Sequence, residues 1–265
     1  MRSITNLGWP DTPFGSTGRP VQRSVQWLTG LSCQWTDTGQ EPTLVGAAAV
    51  LMPVHRTRST PVSADLAHFG FMVLMAEAVP DTGLLDALDA FLVQARRQAR
   101  IISWHSAADD LQALRDLARS CDGHRHPGVT SLSEAWVDRQ KPERDTAHCV
   151  DTALALGPGS VIRETAEAHA LMVSDALLLP QYPTHGQKRH RVLAEGSGTA
   201  LMTESIAVDA LAQALITTLL GGKATGHLHW GGKTLNDDGA LDIYAMIDAV
   251  AWGHFPSVFL RTLNQ

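Results

Sequence analysis

The chain has 265 residues, 44% of them hydrophobic and 18% charged, with a formal net charge of −6. That length buries a substantial apolar core without disulfides or structural metal, and the balance lies far from the low-hydrophobicity, high-charge regime of disordered chains. Cys33, Cys121 and Cys149 are odd in number and widely spaced, with no CxxC pair, so they suggest neither a disulfide framework nor a zinc knuckle. The acidic balance argues against broad electrostatic wrapping of nucleic acid. Yet a centre that gathers carboxylates onto metals also makes a nuclease acidic, so charge alone does not decide the partner.

Residues 1–22, rich in Gly, Pro, Ser and Thr, are expected to be a flexible lead. They carry neither the apolar core of an export signal nor an Arg-rich transit pattern. No apolar run of about 18 residues is free of charge, so a cytoplasmic protein without membrane contact is expected. Residues 24–35 mix Val, Trp, Leu and Cys with small polar residues and close on the turn composition Thr36-Asp37-Thr38-Gly39, which predicts a first strand. Apolar runs at 43–52 and 68–79, bounded by Pro53 and Pro80, predict two more strands. In 83–99, Leu84, Leu85, Leu88, Phe91, Leu92 and Ala95 recur at helical spacing, predicting an amphipathic helix opened by Asp81-Thr82.

A short strand at 100–104 then leads into a helix at 107–119, with Leu111, Leu114 and Leu117 on one face. Residues 120–145 have the composition of a long basic and His-containing loop, with some structure at 132–137. Further core segments follow at 149–156 and 160–172, and a long apolar-striped helix at 201–219 is ended by Gly221-Gly222. The remainder, 223–265, predicts a hairpin around 231–232 and a helix over 240–250. Strands first and helices later make an α/β domain with a mixed sheet, an architecture that admits many functions.

Three stretches carry candidate chemistry. The first is HSAADDLQAL, His105 to Leu114, where the strand at 100–104 turns into its helix; it places Asp110 in the first helical turn, where a carboxylate is positioned for a hard cation. The second is Val150-Asp151-Thr152-Ala153-Leu154-Ala155-Leu156, and the third is ESIAVDAL, Glu204 to Leu211, with Asp209 early in the long helix. Taken singly, Asp109 and Asp110 also suit the dipole of a helix start, and Asp209 also suits the solvent face of an amphipathic helix.

Together and in this order the stretches resemble the DEDD 3'-5' exonuclease family. There the second motif typically reads HNxxFDLxxL, a DTxxLA segment follows, and the third motif reads HxxxxDAxxxA. Gly46-Ala47 and Val50 are also similar to that family's second strand. The resemblance covers about residues 24–222 and implies a ribonuclease H-like mixed sheet flanked by helices. The chain is then divided into the lead at 1–22, an exonuclease-like domain at 23–222 and a C-terminal extension at 223–265 packed on the same domain.

The resemblance also implies roles. Asp110 and Asp209 fall on metal-binding aspartates for Mg²⁺ or Mn²⁺, Glu204 stands where many members place the general-base His, and Asp151 is structural. In this second motif Ser106 replaces the usual Asn, and Asp109 the aromatic. The larger departure is in the first strand, which in the family carries a DxE pair of metal-bridging acids. Residues 25–35, VQWLTGLSCQW, contain no acid, and Asp37, Glu41 and Asp65 are the acids on neighbouring segments. Two-metal hydrolysis needs ions about 3.5 to 4 Å apart, held by several carboxylates, whereas Asp110 and Asp209 alone would hold one weak Mg²⁺ at best.

Lys188, Arg189 and Arg191 cluster in HGQKRHR and are candidates for neutralising phosphates, as are Arg96, Arg97 and Arg100; the simpler reading of the two groups is a solvated loop and a polar helix face. The pairs His124 with His126 and His227 with His229 lack a third ligand nearby in sequence and are weak metal signals. The readings left open are a metal-dependent exonuclease acting on single-stranded DNA or RNA 3' ends, and a pseudo-nuclease that binds nucleic acid, a protein partner or its own copies. A third, an α/β small-molecule enzyme, lacks GxGxxG, GxxxxGK[ST] and GxSxG signatures.

Overall fold

The computed structural model describes residues 1–5, 24–37, 42–61, 69–121, 125–137, 148–152 and 200–229. The strands are β1 (Arg2–Thr5), β2 (Val25–Asp37), β3 (Pro42–His55), β4 (Thr60–Pro61), β5 (Gly70–Met75), β6 (Ile101–Trp104), β7 (His148–Asp151) and β8 (Leu228–His229). The helices are α1 (Thr82–Gln98), α2 (Ala107–Ser120), α3 (Pro127–Val137) and, labelled α4 here, Ala200–Ala224. The chain is an α/β protein with a six-stranded mixed sheet in the order β1-β5-β3-β2-β6-β7.

Strand β3 runs antiparallel to both β2 and β5, whereas β6 is parallel to β2 and β7 parallel to β6. The parallel strands β6 and β7 are separated in the chain by α2 and α3, in keeping with the crossover that parallel pairing requires. The expected first strand and its long antiparallel neighbour are both present. The third is shorter than the apolar run at 68–79, because Glu77 turns outward at its end. Residues 2–5, expected within the flexible lead, instead add an edge strand against β5.

Strand β2 is covered on both faces, and the alternation of its side chains assigns each face a partner. Leu31 joins a core with Leu85, Leu88 and Phe91 of α1, Leu111 and Leu114 of α2 and Leu132 of α3, with Trp27, Cys33 and Trp35 packed against it. Leu28 joins the opposite core with Val50 and Val73 of the sheet and Ala207, Ala210, Leu211 and Ala214 of α4. Leu28 and Leu31 are at most 1% exposed, so each contributes the full burial of a large aliphatic side chain, about 1.5–3 kcal/mol.

α4 comes close to the sheet because small residues line the contact. A methyl group on Gly30 would run into Thr218 Oγ1 and the backbone of Ala214, and one on Gly221 would meet Ser103. Ser32 Oγ donates to the Ala210 carbonyl at 2.5 Å and Ser103 Oγ to the Thr217 carbonyl at 2.7 Å, so the buried hydroxyls at this contact are satisfied. Gly221 and Gly222, expected to end this helix, lie inside it. The helix runs to Ala224, and the chain turns at Gly226, whose φ of 74° is in the left-handed region.

The segment 125–137, most of which was expected as loop, contains α3. Pro127 opens it at a position where a missing N–H costs nothing. Val129, Leu132 and Trp136 are buried on one side of the helix, and Asp89 Oδ1 accepts the Val129 N–H at 2.8 Å.

The close α4 contact yields a test. Gly30→Ala is expected to lower stability by on the order of 1–3 kcal/mol through overpacking, read as a fall in the urea midpoint, whereas the same exchange at a loosely packed glycine is nearly neutral.

Candidate functional site

The first candidate region is where β2 and β6 end and α2 begins. Trp104 closes β6, and the chain enters α2 through Ser106, a non-glycine residue with φ 55° and ψ 42°. This left-handed conformation is costly for most side chains. Asp151, at the end of β7, offsets the cost: its two carboxylate oxygens accept the N–H groups of Ser106 and Ala107, each at 3.1 Å. A carboxylate from a neighbouring strand thus caps the helix start. Beside it, His105 Nδ1 lies 3.0 Å from Thr152 Oγ1. Asp151 is structural, the role expected of it.

Asp110 lies in the first turn of α2. One of its oxygens accepts the indole N–H of Trp35 and the other that of Trp104, both at 2.7 Å. Trp35 is near the end of β2, so this carboxylate joins the first strand, β6 and α2. Burial pushes the Asp110 carboxyl up to about 6, against the opposing pull of the two indole donors and with the help of the negative charges of Asp109 and Asp151. Burial and the Asp110 charge likewise push the Cys33 thiol well above its usual range.

Asp209 belongs to α4, on the other face of the sheet. Gln34, buried on β2, donates from Nε2 to Gln213 Oε1 of α4 at 2.7 Å. On the same side of the strand, a methyl on Gly46 would stand 2.8 Å from Ile206 Cγ2 and 3.6 Å from Gln34 Cβ. Ile206 and Gln213 thus both border Gln34. Asp209 falls between them on one helical row, since positions three and four apart share a face. Burial pushes the Asp209 carboxyl well above the usual carboxylate range. The acid of the third stretch is therefore brought beside the first strand, at a place where that strand presents an amide rather than an acid.

Glu204 lies on α4, one turn before Asp209. Its side chain is outside the described residues, as are Lys188, Arg189 and Arg191 and the segments at 160–172, 231–232 and 240–250. Asp110 and Asp209 stand on elements packed against opposite faces of the sheet, and among the described residues no group of three or more His, Cys, Asp or Glu side chains is placed to hold a metal ion. Among the described residues, Asp110 is met by two indole N–H donors and no metal-holding cluster of acids gathers at either aspartate, which does not fit a pair of hard divalent cations, since these call for several converging oxygens. The indole clamp on Asp110 joins residues 75 positions apart and has no local sequence signal.

Of the histidine pairs, His124 lies outside the described residues, and the other three have side-chain partners. His227 Nε2 meets Gln26 Nε2 at 2.7 Å, His229 Nδ1 meets Ser59 Oγ at 2.9 Å, and His126 Nε2 meets Asp86 Oδ1 at 3.0 Å. No described helix is long and apolar enough to cross a membrane.

Two measurements test this geometry. In the first, Asp151→Ala removes the cap and is expected to cost about 1–2 kcal/mol. Ser106→Gly relieves the left-handed strain and is expected to gain about 0.5–1 kcal/mol, so equilibrium denaturation should move the two variants in opposite directions. The second is a pH series. Asp110 keeps its proton to a higher pH in the folded state than in the unfolded one, so its contribution is fully present below its ordinary value of 3.8 and is lost as pH rises through about 6. The stability difference between the natural protein and Asp110→Asn should therefore shift by about 2 kcal/mol across that window, and a difference that stays constant with pH would refute the assignment.

No family model, curated protein or solved structure matches the chain.

Proposed function

We propose that the chain is an exonuclease-like protein of the ribonuclease H-like fold that binds single-stranded nucleic-acid 3' ends without hydrolysing them. The sheet supports the fold reading. Without the edge strand β1 and the short β4, the strands of the main sheet in chain order are arranged 3-2-1-4-5 with the second reversed, an order that accords with a ribonuclease H-like sheet. The three sequence stretches also fall on the elements that the family resemblance implies: Asp110 at the start of the helix after the fourth strand, Asp151 at the end of the fifth, and Asp209 on the last described helix.

The observation that carries the silent-centre reading is Gln34. The first strand meets the Asp209 row with a buried amide already bonded to Gln213, where metal-assisted hydrolysis would need a carboxylate. Asp110 is held in the same way by two indoles. On this reading the protein keeps the cleft of a nuclease and uses it for recognition, and Glu204, in the general-base position, has no metal-bound water to act on.

The test combines cleavage with binding. With 3'-labelled single-stranded DNA and RNA in Mn²⁺, no nucleotide should be released, while fluorescence anisotropy should show saturable binding of the same oligonucleotides. Nucleotide release that disappears in Asp110→Ala and Asp209→Ala would refute the silent centre; absence of binding would refute nucleic-acid recognition.

A further inference from the structure

We infer that Trp35 is the surface on which a nucleobase of the bound strand stacks, an inference that rests on the nucleic-acid reading above. Three observations on β2 lead to it.

The first is the contrast between the two indoles that share Asp110. Trp104 is 1% exposed and packs edge-on against Trp136, with ring centroids 6.4 Å apart. Trp35 bonds the same carboxylate yet stays partly exposed at the edge of the core. The second is rigidity. The Trp35 N–H is committed to Asp110 Oδ1 at 2.7 Å, so the ring is held in one orientation and its remaining surface is apolar. A fixed, partly exposed aromatic loses little conformational freedom when a flat ligand lands on it, which is the property of a stacking platform.

The third is placement. Opposite the Gln34–Trp35 step, β3 carries one extra residue: Gln34 pairs with Gly46 and Trp35 with Leu44. Bulges of this kind bend a strand and re-aim side chains, and they concentrate next to sites. Here the bulge lies where β2 sends Gln34 toward α4 and Trp35 toward α2, so adjacent residues of one strand end border the two candidate aspartates. With a net charge of −6, the protein gains little from phosphate attraction as a whole, and contact with base faces, indifferent to charge, is the interaction that suits it.

The probe is a short fluorescein-labelled single-stranded oligonucleotide, tested as DNA and as RNA by anisotropy. Trp35→Leu keeps apolar bulk and removes the ring; Trp35→Phe keeps a ring and removes the N–H. Both are checked for folding by circular dichroism and thermal melting, because both forfeit the bond to Asp110. Loss of one stacked base weakens binding by about tenfold or more, so Trp35→Leu is expected to bind that much more weakly while Trp35→Phe stays close to the natural protein. Saturating unlabelled oligonucleotide should also quench part of the intrinsic tryptophan emission, and that part should be missing in Trp35→Phe. If the natural protein binds and Trp35→Leu binds equally well, the stacking role is wrong and nucleic-acid recognition stands. If the natural protein does not bind at all, both fall together.

Discussion

Everything described in this molecule is arranged around one strand that is buried on both sides. β2 offers Leu31, Cys33 and Trp35 to the helices α1, α2 and α3, and Leu28, Gly30, Ser32 and Gln34 to α4. Polar residues at such a position are costly unless bonded. Ser32 reaches a helix carbonyl, Gln34 a glutamine of the same helix, and Trp35 a carboxylate. Strand β2 thus holds its flanking layers together through side-chain hydrogen bonds as well as apolar packing.

An amide at Gln34 has a physical logic. A first-strand carboxylate facing Asp209 would put two like charges in a desolvated contact, an arrangement stable only with cations between them. An amide makes the same reach and brings no charge, so the contact holds without metal. Asp110 has been settled in a comparable way: two indole donors compensate its burial in part, and its raised affinity for a proton records the remainder. The two acids are thus accommodated separately, Asp110 between two indoles and beside Asp109 and Asp151, and Asp209 on the helix that packs against the other face of the sheet.

Much of the fold was legible in the sequence because its signals are local. The apolar runs marked β2, β3 and β5, the helical spacing of Leu84, Leu88 and Phe91 marked α1, and the passage from 100–104 into a helix was visible as strand followed by stripe. What escaped depended on partners far away in the chain. Gly221 and Gly222 have the composition of a helix stop, yet they are helical because Ser103, Leu28 and Leu228 leave no room for side chains there. The Ser- and Thr-rich α3 resembles a loop until its Val129, Leu132 and Trp136 are seen against α1 and α2. For the site, the three acids could be singled out in the sequence as candidates. Their surroundings were not, since an indole from β2 and a carboxylate from β7 reach α2 only through the folded sheet.

The docking of α4 on β2 also orders events in time. Strands β2 and β3 are neighbours in the chain and pair over most of their length, so their contacts close short loops, whereas Ser32 waits for Ala210, 178 residues later. Contacts of such long sequence separation form slowly and late. Among the described residues, α4 is the helix that covers the face of the central sheet with Leu28, Val50 and Val73. Until α4 docks, those side chains form an apolar surface that the folding chain must keep from aggregating.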